Sequence, residues 1–343
     1  MDRKIKELFE RLHRNPECSG KEDKTVRIIR DFMKENTDFE YKALEGGFCY
    51  SYRGRNPKYS IAVRADYDAL SIEGDEPRHL CGHDGHSTSL CALALKLMEK
   101  GSDNNVFLLF QSSEENGEGA KKCLGIFDEK IDMIFGQHNL PGFEFGKVYS
   151  TPDTFACTSE GLIIRLKGRS SHAAYPELGL SPSDIVAKIL QLSEKFQTID
   201  AMATPISVQM GQRSFGVMAH EAEVCLTLRS KSDASLKKLK DQFIGLIEEN
   251  KGEIVSSYEE VDYFPATVNH ERSFTYLKER LYSEDLEEPM RWSEDFGYYL
   301  QKNEGAFFGI GAGIGHAGLH TDDYSYPIEL VDITSECFYN LVK

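Results

Sequence analysis

Thiol and imidazole side chains, which bind transition metals, are concentrated in the run CGHDGH at residues 81–86. Cys81 and His83 are soft and borderline ligands suited to zinc or a similar metal. Such a pair alone is more often structural than metal-binding, so further ligand-type residues must decide. Because polar residues at strand ends of α/β sheets gather on one rim, residues that follow strand-like runs are the candidates. Three sites meet this criterion: Glu114-Glu115, His138 and His320.

The adjacent glutamates Glu114 and Glu115 follow the apolar run VFLLFQ. Burying two carboxylates is costly unless cations or other partners neutralise them. A metal ion would neutralise one and leave the other to transfer protons, because adjacent side chains at a strand end point in different directions. The alternative is a solvated loop leading into a helix, where acidic residues are common. Together with the cysteine and histidines above, the pair favours a metal site.

The segments that would position these side chains alternate between helical and strand patterns. Two amphipathic helices come first, one ended by Pro16 and one carrying the apolar residues of 26–33. The alternation that follows is typical of an α/β sheet with crossover helices, whose ligands bind just beyond the strand ends. Strands are predicted over 59–63, 106–110 and 131–135, and a helix over 87–98.

The middle of the chain has a different pattern, β-α-β-β-α-β, which is the ferredoxin-like order and could fold by itself. After Pro265 the α/β pattern returns, with helices near 274–281 and 295–300, a strand over 306–310 and a closing helix. The simplest partition inserts the middle unit, 158–263, into a domain formed by 1–157 and 264–343. The predicted middle elements are strands over 161–167, 206–210, 223–228 and 253–258, and helices over 183–196 and 236–247.

Composition excludes several classes of protein. Fifty-six acidic against forty basic residues give a formal net charge of −16, which argues against nucleic acid as a partner because phosphate binding needs basic surface. Neither a secretory signal nor an apolar run long enough to span a membrane is apparent. The eight cysteines have no framework spacing, so we expect reduced thiols in a cytoplasmic protein.

Seven sequence blocks, in order along nearly the whole chain, resemble those of one family. This is peptidase family M20, the two-metal family that includes aminoacylases and glutamate-type carboxypeptidases. The chain is most similar to its amidohydrolase branch, which contains N-acyl-amino-acid, hippurate and auxin-conjugate hydrolases. The blocks are RADYDAL (64–70), CGHDGH (81–86), FQSSEENGEGAK (110–121), FGQHNLPGFEFGKV (135–148), KGRSSHAAYPELG (167–179), SEDFGYYL (293–300) and GLHTDDY (318–324).

The resemblance implies a role for each matching residue. Glu114 would be the general base toward a metal-activated water. Asp66 would orient a metal-ligating histidine, and His172 would stabilise the oxyanion from the lid of a partner subunit. The inserted unit would then be both lid and dimerisation domain of a homodimer, on a zinc-peptidase-like catalytic domain with a central mixed sheet. The implied ligands of two divalent metals are Cys81, His83, Glu115, His138 and His320.

The sequence also departs from the family pattern. The lid asparagine and the Val-Ile-Pro that follows it are replaced by Gly216–Ala219, Pro-His after the lid histidine becomes Pro176-Glu177, and Asp-Pro becomes Ser181-Pro182. The stretch before CGHDGH is shortened to SIEGDEPRHL (71–80), which should alter one wall of the pocket. These changes affect substrate identity more than reaction class. Arg229 matches a lid arginine that could bind a substrate carboxylate, and a surface ion pair is the alternative.

These observations leave several functions open. The first is metal-dependent hydrolysis of the amide of an N-acyl amino acid or similar small conjugate, and the second is a dipeptidase or carboxypeptidase that uses the same site. Thiol catalysis by Cys81 with His83 as base is a different chemistry, and a non-catalytic metal-holding protein is a further class. Zinc is the expected metal, with manganese, nickel and cobalt as alternatives.

Overall fold

Strands and helices alternate over most of the chain. The structure, a computed structural model, describes residues 1–71 and 74–343. Short 3-10 helices lie at Leu124–Asp128 and Pro176–Leu178. The α-helices are α1 (Arg3–His13), α2 (Asp23–Asn36), α3 (His83–Lys100), α4 (Gly119–Cys123), α5 (Ser183–Ser193), α6 (Asp233–Asn250), α7 (Glu271–Arg280), α8 (Gly297–Leu300) and α9 (Leu330–Val342). The strands are β1 (Glu40–Leu44), β2 (Gly47–Tyr52), β3 (Ser60–Asp66), β4 (Asn105–Gln111), β5 (Met133–Pro141), β6 (Val148–Ser150), β7 (Thr154–Ala156), β8 (Thr158–Lys167), β9 (Gln197–Thr198), β10 (Ala201–Met210), β11 (Glu221–Ser230), β12 (Val255–Phe264), β13 (Thr267–Val268), β14 (Ser283–Asp285) and β15 (Gly305–Gly313).

The chain divides into two compact units. The first unit comprises Met1–Phe155, Thr267–Glu288 and Asp295–Lys343, and the second comprises Ala156–Ala266 and Pro289–Glu294. The short segment 289–294 belongs to the second unit because its backbone pairs there. The Met290 carbonyl, for example, accepts a hydrogen bond of 3.0 Å from the Cys157 amide.

The first unit contains a mixed sheet with the strand order β1-β2-β4-β3-β5-β15-β6-β14. Its central strands β4, β3, β5 and β15 are parallel to one another, and antiparallel pairs join β2 to β4 and β15 to β6. The predicted α/β fold with a central mixed sheet is therefore confirmed. Because the central strands are parallel, their carboxyl ends lie on one edge, where ligands bind in such sheets.

Both ends of the chain contribute to one core in the first unit. Ile5 of α1 and Val342 of α9 belong to the same buried cluster as the sheet residues. Helix α3 is buried on all sides from His83 to Ala94, with polar residues in its first half and apolar residues after them. Each fully buried aliphatic or aromatic side chain contributes about 1.5–3 kcal/mol. The helix that carries the CGHDGH run is therefore firmly held.

The second unit has the element order β8-α5-β10-β11-α6-β12, the predicted ferredoxin-like order. Its sheet, β12-β8-β11-β10-β9, joins β12, β8, β11 and β10 as antiparallel neighbours. Helices α5 and α6 supply apolar residues to a separate core, which includes Ile189 and Phe243. The unit therefore buries its own apolar surface, as an independently folding insert must.

Candidate metal centre

The candidate ligands lie at the carboxyl edge of the parallel strands. Asp66 is the last residue of β3, the pair Glu114–Glu115 follows β4, and His320 lies on the loop after β15. His138 lies within β5, which continues to Pro141 because it keeps pairing with β15 beyond the predicted end at residue 135. Sheet topology thus brings distant parts of the sequence to one rim.

The glycines of CGHDGH let helix α3 begin against the tyrosines of a distant loop. Gly82 precedes the helix with φ of 98°, and a Cβ there would lie 2.6 Å from the Tyr324 hydroxyl. A Cβ on Gly85 would lie 2.2 Å from the ring of Tyr326. Both contacts are far shorter than van der Waals separation, so the backbone approaches this closely only with glycine. Consequently His83 is the first residue of the helix.

Five ligand-type side chains converge at this rim. The Cys81 Sγ lies 3.3 Å from the His138 Nε2, and both lie within 4.8 Å of a donor atom of His83. Donor atoms of Cys81, Glu115 and His320 form a second group at the same spacing, with 3.5 Å between the Glu115 Oε2 and the His320 Nε2. The thiol belongs to both groups. The arrangement therefore offers two adjacent sets of donor atoms, each of which could hold a cation.

Two of these donor atoms have no hydrogen-bond partner among the described residues. The His83 Nε2 and the Glu115 Oε1 are both buried and unpartnered. Leaving buried polar atoms unsatisfied is costly, and such atoms call for an explanation such as a bound ion. A thiol, imidazoles and a carboxylate are the ligands that zinc and similar ions prefer. The residues present therefore fit metal ions.

The other ring nitrogens of two histidines are fixed by hydrogen bonds. The His83 Nδ1 lies 3.0 Å from the Asp68 Oδ1, and the His138 Nδ1 donates to the Asn139 carbonyl over 2.8 Å. In each case Nε2 is left to face the cluster. Ligating histidines are typically held in this way, which sets their tautomer and ring angle.

Asp66 has a different position from the one the resemblance implied. Its Oδ1 lies 2.6 Å from the His86 Nδ1, and its Oδ2 accepts a hydrogen bond of 2.6 Å from Arg64. The nearest nitrogen of His83 is 3.8 Å away. Asp68, two residues later in the same RADYDAL block, is the carboxylate that orients His83. Asp68 was not predicted as a site residue from the sequence, although the alternation of side chains at a strand end could have suggested it.

A buried hydrogen-bond network below the rim was also not predicted from the sequence. Arg64 is only 1% exposed and donates to the Gln111 Oε1 over 2.8 Å and to the Asp295 Oδ1 over 2.8 Å. The Tyr299 hydroxyl donates to the same Gln111 oxygen. A buried guanidinium of this kind neutralises Asp66 and Asp295 and links β3, β4 and the SEDFGYYL block. The network therefore stabilises the part of the sheet from which the ligands project.

The charges at the cluster shift the pKa values of its members. Hydrogen bonds to Cys81 and Glu115 raise the pKa of His320 to about 10. Burial, together with the nearby His86, holds the pKa of His138 well below its usual range. Burial and the Glu115 charge raise the pKa of the Cys81 thiol. Without cations the cluster therefore retains protons that binding of a metal would displace.

Residues 62–343 match the model of peptidase family M20/M25/M40. The chain belongs to this family. The matched range includes every candidate ligand and the second unit. The family expected from the sequence blocks is thus confirmed for more than half of the chain.

Relatives of this M20/M25/M40 chain have amide-hydrolase names. It is 29% identical to the IAA-amino acid hydrolase ILR1-like 4 of Arabidopsis thaliana, over 88% of this chain and 75% of that protein. It is also 29% identical to an N-acetyldiaminopimelate deacetylase of Listeria monocytogenes, over 93% of this chain and 94% of that protein. A solved structure, the Bacillus subtilis YXEP protein, described as a dinuclear metal-binding peptidase of family M20, superposes with a TM-score of 0.85 at 24% identity. That superposition covers 98% of this chain and 96% of the other.

Of the candidate residues of this family member, His172 lies in the second unit. Its side chain is exposed, and its Nδ1 accepts a hydrogen bond of 3.0 Å from the Ala174 amide. Because Nδ1 is the acceptor, the neutral ring carries its proton on Nε2. That N–H is therefore available as a donor.

Arg229 also lies in the second unit, at the end of β11. It donates to the Ser293 hydroxyl over 2.9 Å and to the Arg291 carbonyl over 3.2 Å. Among the described residues it forms no ion pair with a carboxylate, so the surface ion pair considered above is not observed. A partly buried guanidinium held by neutral groups keeps charge for an anionic ligand.

The segment that replaces the lid asparagine packs beside His172. The Gly216 carbonyl accepts a hydrogen bond of 3.1 Å from the Ala173 amide, and the Met218 amide donates to the Ser171 carbonyl over 3.0 Å. A Cβ at Gly216 would meet nothing within 4 Å, so open space lies where a side chain would be. The shortened stretch 71–80 includes residues 72 and 73, which lie outside the described part of the chain.

The cysteines are free thiols, and their environments bear on thiol catalysis. Burial raises the pKa of Cys49 and of Cys91, which keeps these thiols protonated and unreactive. Cys81 is buried as well, and its pKa is also raised, whereas a nucleophilic cysteine needs a lowered one. The site chemistry therefore favours Cys81 as a ligand. Among the helices of the described residues, we find none with the length and apolar character to cross a membrane.

Proposed function

We propose that the protein hydrolyses the amide bond of N-acyl amino acids or similar small conjugates, with Glu114 as general base. One observation carries this proposal: ligand-type side chains from distant strands meet at one edge of the sheet, and two of their buried donor atoms have no hydrogen-bond partner among the residues that the structure describes. Family membership supports the reaction class, since the chain belongs to a family of metal-dependent hydrolases of amide bonds. The ligands that we propose are Cys81, His83, Glu115, His138 and His320.

The surroundings of the two glutamates suit Glu115 to bind metal and Glu114 to transfer protons. Glu115 forms donor groups with Cys81 and His320 and also with His83, whereas among the described residues Glu114 forms a group with His83 but none with Cys81. The Glu114 Oε2 lies 3.8 Å from the His83 Nε2, and the residue is 6% exposed. Glu114 therefore lies beside the cluster. Unlike Glu115, it has no oxygen among the buried side-chain atoms that lack a hydrogen-bond partner in the described part of the chain. This geometry supports Glu114 as the proton carrier.

The reaction replaces the C–N bond of the amide with a C–O bond. Bound divalent cations would polarise the carbonyl and make a water molecule nucleophilic at neutral pH. Glu114 accepts a proton from the attacking water and delivers it to the leaving amine nitrogen. Asp68 holds the ring of His83, and the Nε2–H of His172 would donate to the oxygen that develops negative charge. Arg229 would bind the carboxylate of the substrate.

The relatives suggest the substrate class. The Arabidopsis and Listeria relatives are named for a conjugate of an amino acid and for an N-acetylated amino acid. Each such substrate has a free carboxylate near the scissile amide, which suits the unpaired charge of Arg229. A dipeptide also has this arrangement, so an exopeptidase is the alternative function. A panel of substrates distinguishes it from a hydrolase of N-acyl amino acids.

We further propose a homodimer in which the inserted unit predicted from the sequence, 158–263, is the lid and dimerisation domain of a catalytic domain formed by 1–157 and 264–343. On one side of β10, β9 pairs only with Ala201 and Met202. Along the rest of β10, Ile206, Val208 and Met210 are exposed. An open edge with apolar side chains is suited to pairing with a second copy. Free thiols throughout suit a cytoplasmic location.

Metal analysis followed by a substrate panel tests the proposal. We expect about two divalent ions per chain. Zinc is the expected metal, and manganese, nickel and cobalt are the alternatives. Chelation should abolish activity, which the matching ion restores. The panel comprises acetyl-, benzoyl- and aminoacyl-amino acids, and preference for the aminoacyl compounds would favour the exopeptidase. Activity that survives chelation and is lost on mild alkylation would instead indicate thiol catalysis and reject the metal mechanism.

A further inference from the structure

Glu22 lies immediately before α2 and is buried, with 6% of its surface exposed. The residues before α1 and α6, Asp2 and Ser232, cap their own helices with their side chains, whereas Glu22 does not. Its Oε1 instead accepts hydrogen bonds from the amide of Ser113 over 3.0 Å and from the Ser113 hydroxyl over 3.4 Å. A buried carboxylate thus links the start of α2 to a residue of a distant turn.

That turn leads directly to the proposed catalytic glutamates. Ser113, which precedes Glu114 and Glu115, has a φ of 54°. This lies in the left-handed region of backbone conformation, which residues other than glycine rarely adopt. The Ser113 carbonyl accepts hydrogen bonds from the Glu118 amide over 3.3 Å and from the Gly119 amide over 3.0 Å. Glycine would take this conformation without strain, but serine needs compensating contacts. Glu22 supplies two of them.

The same N-terminal segment also supports the second glutamate. The Ser19 hydroxyl donates to the Asp68 Oδ2 over 2.7 Å, and the Glu115 amide donates to that same oxygen over 3.1 Å. Residues 19–22 therefore support the turn after β4 at two points, directly at Ser113 and through Asp68 at Glu115. One contact fixes the residue before the pair, and the other fixes the backbone of Glu115.

We infer that Glu22 is a positioning residue for Glu114 and Glu115, which it aims at the reaction centre by holding the left-handed backbone of Ser113. The inference rests on the proposed function for its effect on rate. It uses Glu22 as a hydrogen-bond acceptor, so glutamine, which keeps an acceptor oxygen, should replace it. Burial raises the pKa of Glu22.

Glu17 provides a matched control, because it also lies before α2 and contacts its first turn. Its Oε2 accepts hydrogen bonds from the amides of Lys24 and Thr25 over 2.9 and 2.7 Å and from the Thr25 hydroxyl over 2.9 Å. It therefore stabilises the start of α2 without touching the turn at Ser113. Loss of Glu17 should weaken α2, as loss of Glu22 would, but it should leave Glu114 and Glu115 in place.

The kinetic test compares Glu22→Ala, Glu22→Gln and Glu17→Ala. We expect Glu22→Ala to lower kcat about 100-fold, because small misplacements of catalytic groups have effects of that size, with KM and metal content within about 2-fold of wild type. Glu22→Gln should restore most of kcat, and Glu17→Ala should change Tm without a comparable loss of kcat. Equal losses of kcat in Glu22→Ala and Glu17→Ala would overturn the inference. So would a Glu22→Gln variant as slow as Glu22→Ala.

Hydrogen exchange tests the same contact without any substrate. In metal-free protein, a peptide spanning 112–119 should exchange at least about 10-fold faster in Glu22→Ala than in wild type, since the Ser113 amide loses its acceptor. Glu22→Gln and Glu17→Ala should retain wild-type exchange. Unchanged exchange in Glu22→Ala would refute the positioning role even if the enzyme were active. Absence of hydrolysis in every variant, with exchange as expected, would reject the proposed function alone.

Discussion

The candidate residues of the two units are held in different ways. In the first unit, His83 and His138 each have one ring nitrogen fixed by a partner, and a buried arginine lies below them. In the second unit, His172 is exposed, and its ring accepts a hydrogen bond from an amide two residues away. Arg229 is held by neutral oxygens. The first set is preorganised for metal binding, whereas the second keeps freedom to adapt to a substrate.

This difference predicts different consequences of mutation. Changes in the first unit should alter metal content or the chemical step, because the partners there fix donor atoms. Changes at the exposed residues of the second unit should leave metal content intact and alter turnover or substrate binding. Measuring metal content beside kinetics for every variant tests the distinction directly.

The largest effect is expected for Glu114→Gln. Glutamine cannot accept the proton from water, so kcat should fall by about 10²–10⁴-fold or more, while metal content stays near normal. Steady-state kinetics and metal analysis on the same samples measure both quantities. This outcome would separate proton transfer from metal binding within the first unit.

Glu118→Gln is the matched control for that variant. Glu118 lies in the same turn, but its side chain is half exposed and pairs with Lys121 at the surface. We expect wild-type kcat from it. If Glu114→Gln also turned over at the wild-type rate, Glu114 would not be the base and the mechanism would be wrong.

The next effect concerns the second unit. His172→Ala should lower kcat about 10²–10³-fold, as loss of an oxyanion donor does elsewhere, with fold and metal content unchanged. Circular dichroism and metal analysis check those two conditions. His220→Ala removes another partly exposed histidine of the same unit and should be nearly silent. If His172→Ala retained the wild-type kcat, His172 would not stabilise the oxyanion, and the second unit would have no demonstrated part in the chemical step.

The sequence predicted the fold class and the family because both depend on patterns that are local or repeated. Apolar runs marked the central strands β3, β4, β5 and β15, and family blocks marked each candidate ligand. The hairpin of β1 and β2 was not predicted, because its burial depends on pairing between β2 and β4, which are distant in sequence. Strand preferences of this kind reflect neighbours in the sheet more than the residues themselves.

The partners of the ligands were harder to predict than the ligands. Asp66 and Asp68 are equally good candidates in the block RADYDAL, and only their directions at the end of β3 decide which one meets His83. Glu22 and Asp295 lie far along the chain from the groups they hold. Their roles follow from tertiary packing, so no spacing in the sequence could have assigned them.

A smaller effect, on metal affinity, is expected for Asp68→Asn. The amide keeps one oxygen for His83 but cannot also accept from both Ser19 and the Glu115 amide, so the ring should lose its fixed angle. We expect metal affinity to fall about 10–100-fold, measured by competition with a chelator. Asp132→Asn is the control, since Asp132 accepts from the Ser60 amide at the opposite end of β3. Equal affinities for all three proteins would mean that Asp68 does not orient His83.

The smallest effect concerns how α1 holds the start of α3. The His13 Nδ1 lies 2.7 Å from the Asp84 Oδ2, and this hydrogen bond raises the pKa of His13 above 6.5. The stability that the charged pair contributes is therefore fully present below pH 6.5 and is lost as the pH rises through the raised pKa. Because His13 is partly exposed, we expect wild type to exceed His13→Gln in Tm by only about 1–2 °C at pH 6, and by less at pH 9. Thermal unfolding of both proteins at equal metal loading measures this difference, and a gap that widened with rising pH would show that the pair is not charged.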